Sequence, residues 1–165
     1  MKMDWKKYRL LFFISVVTVG LDQISKIIVL KSMTLYQSIP VIPGFFNFTY
    51  IRNPGGAFGF FANQSPAIRS FVFIFVSLLA IGFILYFYIN TPDTHKFLAT
   101  GFSLIFGGAI GNMIDRLRFG TVVDFLDVYI QNTHWPAFNI ADSAISIGMA
   151  IFIYHVLTQK MPADE

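Results

Sequence analysis

The sequence contains no cysteine, few charges and a single glutamate, and each scarcity removes a class of function. Without cysteine there are no disulfides, no thiolate metal ligands and no cysteine nucleophile, and the redox compartment stays undetermined. The only glutamate is Glu165, so the His-Glu-x-x-His pattern of zinc peptidases is absent, and we expect no metal and no other cofactor. Charged residues make up 13% of the 165 residues, about half of the share that is typical of soluble domains.

Apolar residues are abundant instead, at 55% of the chain. They form four runs long enough to cross roughly 30 Å of hydrocarbon, which takes about 20 helical residues. We therefore expect an α-helical membrane protein with four transmembrane helices, at residues 10–30, 68–89, 97–114 and 138–157. No linker divides the sequence, so we expect residues 1–165 to form one membrane domain.

Two connections between the predicted spans have β-strand character. Residues 31–67 contain short β-prone stretches separated by Pro40, Pro43 and Gly44, which predicts a small sheet on the outer membrane surface, followed by a turn at residues 53–56. The second connection contains VVDFLDVYI, whose periodicity fits either a strand or an interfacial amphipathic helix.

Basic residues set the expected orientation. By the positive-inside rule, the basic residues before the first span place the N-terminus in the cytoplasm, and four crossings return the C-terminus there. Four arginines fall on the opposite side and disagree with the rule: Arg52, Arg69, Arg116 and Arg118. The net charge of +3 is too small and dispersed for a nucleic-acid surface, so we expect membrane lipids and no nucleic acid among the partners.

Polar residues of three predicted helices converge at one depth. At 1.5 Å per residue, Asp22 lies roughly 18 Å up the first helix and Asn112 roughly 22 Å up the third. Asp142 lies roughly 6 Å below the outer boundary on the fourth helix, and Asp124 needs only a short re-entry to join them. A charge in hydrocarbon costs at least about 2.5 kcal/mol, so such residues face the bundle interior and usually mark a functional site.

Asp124 and Asp142 are the candidate catalytic pair. Two carboxyl groups that share one proton can activate water and protonate the oxyanion that forms when the water attacks a carbonyl. A simpler interpretation is that Asp124 ends a strand and Asp142 caps the fourth helix. Two other functions stay open: a small proton-coupled transporter that uses the carboxylates as a relay, and a noncatalytic scaffold.

The other polar residues near these aspartates have structural and functional interpretations. Asp22 and Lys26, four residues apart, fit an ion pair that pins the outer end of the first helix, and substrate contact by Asp22 is the alternative. Asn53 could offer its amide to a substrate backbone that Gly55 allows to approach, or this segment could be an ordinary turn.

Arg116 could pair with Asp115, orient an aspartate or bind a lipid phosphate. Asn139 could cap the fourth helix, and it shares a helix face with Asp142. We expect Asp127 to be solvated and His134 to be an interfacial loop residue. Three glycines are expected to allow close helix packing: Gly107, Gly108 and Gly111.

Four segments, in chain order, resemble the sequence boxes of the bacterial lipoprotein signal peptidase family, also called signal peptidase II: DQISK, RNPGGAFG, GGAIGNMIDRLRFGTVVDFLDV and FNIADSAISIG. The resemblance extends over nearly the whole chain. It implies an intramembrane aspartic endopeptidase that removes the signal peptide from a diacylglyceryl-modified prolipoprotein, just before the lipidated cysteine. It also implies a fold of four transmembrane helices with a small extracytoplasmic β-sheet cradle.

By this resemblance, Asp124 and Asp142 match the catalytic aspartates and Lys26 matches a lysine of the first box. The polar residues that line the site in the family are matched by Asp22, Asn53, Asn112, Arg116 and Asn139. The implied partners are lipid-modified prolipoproteins and membrane lipids. We expect a monomer in the bacterial cytoplasmic membrane, with both termini cytoplasmic and the active site near the extracytoplasmic face.

Overall fold

A computed structural model of the chain describes residues 5–55 and 64–158. Its elements in chain order are α1 (Trp5–Ser32), β1 (Ser38–Ile42), β2 (Phe46–Asn53), α2 (Pro66–Asn90), α3 (Lys96–Phe119), β3 (Val122–Ile130), β4 (Thr133–His134) and α4 (Ile140–Thr158). This confirms the predicted class of four helices with a small sheet. The last residue of the predicted turn, Gly56, lies outside the described residues.

All four helices are long and apolar enough to cross a membrane. The predicted boundaries differ from the observed helix ends, including the start of α1, which begins at Trp5 and not at residue 10, and two other differences bear on the site. Helix α3 does not end near residue 114 but continues to Phe119, where Gly120 adopts φ 69° and its N–H bonds to the carbonyl of Arg116. Helix α4 begins at Ile140 and not at Phe138, because the backbone of Phe138 pairs with Leu126 of β3.

Helix α3 is the central helix of the bundle and packs against α1, α2 and α4. Its glycines permit this close approach. A Cβ on Gly108 would lie 2.5 Å from the carbonyl oxygen of Ala141, and one on Gly111 would lie 2.6 Å from Asp22 Oδ2. The predicted packing role of these glycines is confirmed, and a consequence is that the polar residues of α1, α3 and α4 come within hydrogen-bond reach of one another.

The four strands form one antiparallel sheet in the order β1-β2-β3-β4. The segment VVDFLDVYI is therefore a strand, and its alternative as an amphipathic helix is wrong. A cluster of buried apolar side chains joins the sheet to the end of α1: Val29, Met33, Tyr50, Val123 and Phe125. This cluster fixes the sheet against the same end of the bundle at which α3 ends and α4 begins.

Candidate active site

Strand pairing positions Asp124 at the end of the bundle. Asp124 lies opposite Ile51 in the β2–β3 pair and is 2% exposed. Its two carboxylate oxygens accept from different elements: Asn53 Nδ2 donates to Oδ2 at 3.0 Å, and Asn139 Nδ2 donates to Oδ1 at 2.7 Å. The side chain is thus held in one orientation by two amides.

Asp142 lies in the first turn of α4. Asn112 Nδ2, from α3, donates to its Oδ1 at 2.7 Å, and the backbone N–H of Asn139 donates to its Oδ2 at 3.2 Å. In return, the backbone N–H of Asp142 donates to Asn139 Oδ1 at 2.9 Å. This reciprocal pattern confirms that Asn139 caps α4, and Asp142 takes part in the same cap.

Asn139 therefore contacts both aspartates. Phe138, the residue before it, accepts the backbone N–H of Leu126 at 2.8 Å and donates its own N–H to Leu126 at 3.0 Å. Because Phe138 pairs with β3 and α4 begins at Ile140, Asn139 lies between the strand and the helix and can contact both. The predicted convergence of Asp124 and Asp142 is confirmed by this geometry.

Both aspartates line one cavity of about 790 Å³. Four of the other predicted site residues line it too: Asn53, Gly55, Asn112 and Arg116. Burial raises the pKa of Asp124 to about 7, and the neighbouring Asp142 charge adds to the rise. Hydrogen bonds from Asn53 and Asn139 only partly oppose this shift. A carboxyl group with such a pKa can hold a proton near neutral pH.

A buried ionic network lies behind this cavity. Lys26 Nζ is 2.9 Å from Asp22 Oδ2, 2.9 Å from Asp115 Oδ2 and 3.1 Å from Asn112 Oδ1. The predicted Asp22–Lys26 ion pair is confirmed. The predicted pairing of Asp115 with Arg116 is wrong: Asp115 pairs with Lys26, and Arg116 is in none of the ion pairs of the described residues.

Asp22 and Lys26 do not line the cavity in the described part of the chain, since they are 0% and 1% exposed. Instead, Asp22 Oδ1 accepts the backbone N–H of Ala141 at 2.9 Å, and Asp115 Oδ2 accepts that of Val123 at 3.0 Å. The network therefore ties α1 and α3 to the residues that precede Asp124 and Asp142. This geometry favours the structural role of Asp22 over substrate contact.

The remaining predicted site residues face the cavity in different ways. Gly55 donates its N–H to Asn53 Oδ1 at 3.0 Å, which is ordinary turn chemistry, and both residues still border the cavity. Arg116 lies with its guanidinium carbon 5.3 Å from the centre of the Phe73 ring, and its Nη1 is 3.4 Å from the carbonyl oxygen of Asn112.

Asp127 was expected to be solvated, and this expectation is wrong, because the residue is 6% exposed. Asn47 and Thr49 of β2 donate to its Oδ2, and His134 Nδ1 lies 2.7 Å from its Oδ1. Burial raises the pKa of Asp127, but the hydrogen bonds from His134, Asn47 and Thr49 outweigh burial and leave that pKa below its ordinary value. His134 itself lies in β4, so the expectation that it is a loop residue is wrong.

Sequence reasoning missed one wall of the cavity. It is formed by the segment between β4 and α4 and by the first turns of α4: Trp135, Pro136, Ala137, Phe138, Ser143, Ile145, Ser146 and Ile147. These residues are apolar or small, and no pattern in the sequence distinguishes them from lipid-facing residues. Only the pairing of Phe138 with β3 brings them to the cavity. Within residues 5–55 and 64–158, no group of acidic or histidine side chains is arranged to hold a metal ion.

Comparison with known proteins adds to this geometry. A family model described as signal peptidase (SPase) II matches residues 14–158. A lipoprotein signal peptidase of Desulforapulum autotrophicum is 55% identical over 152 residues, covering 92% of this chain and 94% of the relative. One of Syntrophus aciditrophicus is 46% identical over 156 residues, covering 94% and 97%. A solved structure described as a bacterial membrane enzyme has a TM-score of 0.82 at 34% identity, and the match covers 94% of this chain and 93% of that one.

Proposed function

Since the chain belongs to the signal peptidase II family and is thus an aspartic endopeptidase, we propose that Asp124 and Asp142 are its catalytic pair. Membership of the family implies that the protein removes signal peptides from prolipoproteins as a multi-pass protein of the cytoplasmic membrane. The proposal adds the mechanism, the roles of individual residues and the side of the membrane on which they act.

The observation that carries the proposal is that two carboxyl groups border one cavity and share one asparagine. Asn139 bonds Asp124 through its side-chain amide and Asp142 through its backbone N–H. The negative charges of two neighbouring carboxylates repel each other, which disfavours ionisation of both groups. The pair therefore keeps one proton between them. The raised pKa of Asp124, at about 7, agrees with a pair that is singly protonated up to neutral pH.

In the proposed reaction, a water molecule in the cavity attacks the carbonyl carbon of the scissile peptide bond. The ionised carboxylate takes a proton from this water, and the protonated carboxyl gives its proton to the carbonyl oxygen. The tetrahedral intermediate then collapses: one carboxyl gives its proton to the leaving nitrogen, the carbon–nitrogen bond breaks, and one hydroxyl of the intermediate returns its proton to the pair as the carbon–oxygen double bond of the carboxyl product forms. The pair is left with one proton, as at the start.

The neighbouring residues divide into two groups. Asn112 and Asn139 already donate their amide hydrogens to the aspartates, so we assign them to holding the pair in position. Gly55 and Arg116 border the open cavity, so we assign them to binding the substrate backbone, whose amide groups lose helical hydrogen bonds when the signal peptide unwinds locally. We assign both tasks to Asn53, because its amide donates to Asp124 and it also borders the cavity. The buried ion pair of Asp22 and Lys26 lies next to these residues, and the hydrogen bond from Ala141 to Asp22 connects it to the start of α4.

The placement in the membrane follows from the same arrangement. By the positive-inside rule, the basic residues near the start of the chain favour a cytoplasmic N-terminus, and four crossings return the C-terminus to the same side. The cavity lies at the opposite ends of the helices, under the sheet. We propose that the enzyme works as a monomer and a single membrane domain with its cavity near the extracytoplasmic face. The signal peptide, itself an apolar helix, then reaches the cavity from the membrane while the acyl chains of the lipidated cysteine stay in lipid.

The transporter alternative requires polar side chains along the whole membrane depth. Helix α2 buries only Ile81 and Tyr88 among its 25 residues, and the only polar residues of α4 beyond Ser146 are Tyr154, His155 and Thr158 at its far end. No observation in the described residues favours this alternative over the peptidase.

The test is cleavage of a diacylglyceryl-modified precursor by purified Asp124→Asn and Asp142→Asn variants in detergent. Each variant is expected to keep its fold and lose cleavage, since asparagine preserves shape but neither takes nor gives a proton. Asp93→Asn, in the exposed loop at the other end of the bundle, is the control and should cleave normally. Wild-type cleavage by either active-site variant refutes the assignment.

A further inference from the structure

Four of the five arginines of the chain are concentrated at one end of the molecule: Arg52 on β2, Arg69 on α2, and Arg116 and Arg118 at the end of α3. The elements that carry them are neighbours. A Cβ on Gly120, just after α3, would lie 3.4 Å from Ser70 Oγ near the start of α2. This end is the one that the positive-inside rule would leave poor in cations. The positive-inside rule therefore does not account for these four arginines.

Two of these arginines contact the same aromatic ring. The guanidinium carbon of Arg52 is 4.2 Å from the centre of the Phe119 ring, and that of Arg118 is 4.8 Å from it. The Nε of Arg52 also donates to the Tyr50 hydroxyl at 2.6 Å. A guanidinium group that stacks on a ring keeps hydrogen-bond donors at its edge free for a planar acceptor.

No carboxylate within 4 Å neutralises Arg52 or Arg118 in the part of the chain that the structure describes, where the ion pairs involve Lys7, Lys26 and His134. The acids at this end already have other partners: Asp22 and Asp115 bind Lys26, Asp127 binds His134, and Asp124 and Asp142 accept hydrogen bonds from asparagine side chains. Two cations on one ring repel each other, so an anion between or beside them would stabilise the arrangement.

We propose that Arg52, Phe119 and Arg118 form a binding site for the phosphate group of an anionic phospholipid. Phe119 ends a membrane-spanning helix and is 36% exposed, so the ring lies where acyl chains meet headgroups. The guanidinium fork matches two phosphate oxygens, whereas an ammonium group acts only as a point charge, which accounts for arginine at these positions. Arg116 is not part of this site, because it packs on Phe73 and borders the active-site cavity.

Arg118 offers the clean test, because it is exposed and does not line the cavity, whereas Arg52 does. The purified protein in detergent is titrated with phosphatidylglycerol, with phosphatidylcholine and with inorganic phosphate, and bound lipid is counted by native mass spectrometry. The matched control is Arg9→Gln, because Arg9 is also an exposed arginine but lies near the start of α1, at the opposite end of the bundle. Arg118→Lys keeps the charge and removes the fork.

The wild-type protein and Arg9→Gln are expected to bind phosphatidylglycerol more tightly than phosphatidylcholine. Arg118→Gln should weaken phosphatidylglycerol binding roughly tenfold, as expected for loss of a charge-assisted hydrogen-bond pair, and Arg118→Lys should lie between. Equal binding of the two lipids by the wild-type protein, or unchanged binding by a folded Arg118→Gln, overturns the site. Competition by millimolar inorganic phosphate that abolishes lipid binding overturns the lipid as its occupant. None of these measurements depends on peptide cleavage, so the result stands apart from the proposed catalytic pair.

Discussion

At the scale of single residues, the site depends on amides that hold charges in place. Asn139 is fully buried, and its side chain bonds to Asn112, Asp124 and Asp142, which line the cavity, and to the backbone carbonyl of Val123. Asn112 connects the same frame to Lys26, because its Oδ1 accepts from Lys26 Nζ and its Nδ2 donates to Asp142. Neutral amide donors thereby orient the two aspartates. Lys26, the nearest lysine, forms ion pairs with Asp22 and Asp115 instead.

The pKa of Asp124 predicts how activity depends on pH. Burial raises this pKa to about 7, so the proton of the pair is retained at lower pH and is lost as the pH rises through that value. A doubly ionised pair has no acid to protonate the carbonyl oxygen. We therefore expect kcat/KM for a lipidated precursor to fall with increasing pH above about 7. A rate that is constant from pH 6 to 9 would contradict this expectation.

Lys26 is predicted to be a stability residue. Replacement by methionine fills the space but leaves Asp22 and Asp115 buried without a cation. Breaking a buried ion pair from one side typically costs about 3–5 kcal/mol, and we expect Lys26→Met to lower the free energy of unfolding by that order. Lys31→Met, exposed in the last turn of the same helix, is the control for denaturation in detergent. If the two variants unfold alike, the network has no such role.

How far the sequence predicts these residues depends on the element that carries them. Helical rise alone brings Asp22, Asn112 and Asp142 to one depth, because 1.5 Å per residue is the same in every helix. Asp127 was misjudged because its partners, Asn47 and Thr49, are set by the register of β2 on β3. A sequence gives no register until the pairing of the two strands is known.

At the scale of elements, α3 organises the molecule. It is in contact with the other three helices, and its end at Phe119 leads through Gly120 into β3, so the same chain segment supplies Asn112 from the bundle and Asp124 from the sheet. The predicted spans identified all four helices. Their ends were less predictable, because Arg116 and Arg118 extend α3 past its apolar run and Phe138 is apolar yet pairs as a strand.

Gly108 tests the contact between α3 and α4. A Cβ there would meet the backbone carbonyl of Ala141 at 2.5 Å, which a side-chain rotation cannot relieve. We expect Gly108→Ala to destabilise the protein by about 1–3 kcal/mol, as overpacking does, and to lower cleavage by moving the start of α4. Gly82→Ala on α2, where nothing lies within 4 Å, is the matched control and should melt at or above the wild-type temperature. A Gly108→Ala protein as stable as this control would contradict the packing account.

At the scale of the whole molecule, the two ends of the helical bundle carry different polar groups. Lys7 contacts the α2–α3 loop at one end, while the sheet, the cavity and four of the five arginines lie at the other. The sequence predicted this division from span lengths and from the basic residues near its start. It could not predict that the segment from Trp135 to Phe138 forms one wall of the cavity, because that depends on the pairing of Phe138 with Leu126 of β3.

The absence of cysteine makes the orientation directly measurable. Gln131→Cys lies in the exposed β3–β4 turn and Thr94→Cys in the exposed α2–α3 loop, at opposite ends of the bundle. In intact bacterial spheroplasts, a membrane-impermeant maleimide is expected to label the first variant and to label the second only after lysis. Labelling of Thr94→Cys in intact spheroplasts would invert the proposed topology.

The most direct test of the central claim is a double-mutant comparison of Asp124→Asn, Asp142→Asn and the variant that carries both changes. The quantity to measure is the single-turnover rate at which each protein cleaves a diacylglyceryl-modified precursor. If the two carboxyl groups act as one unit, each single change lowers this rate on the order of 10⁴-fold and the double change lowers it no further. A double variant whose loss equals the product of the two single losses would show that the aspartates act independently.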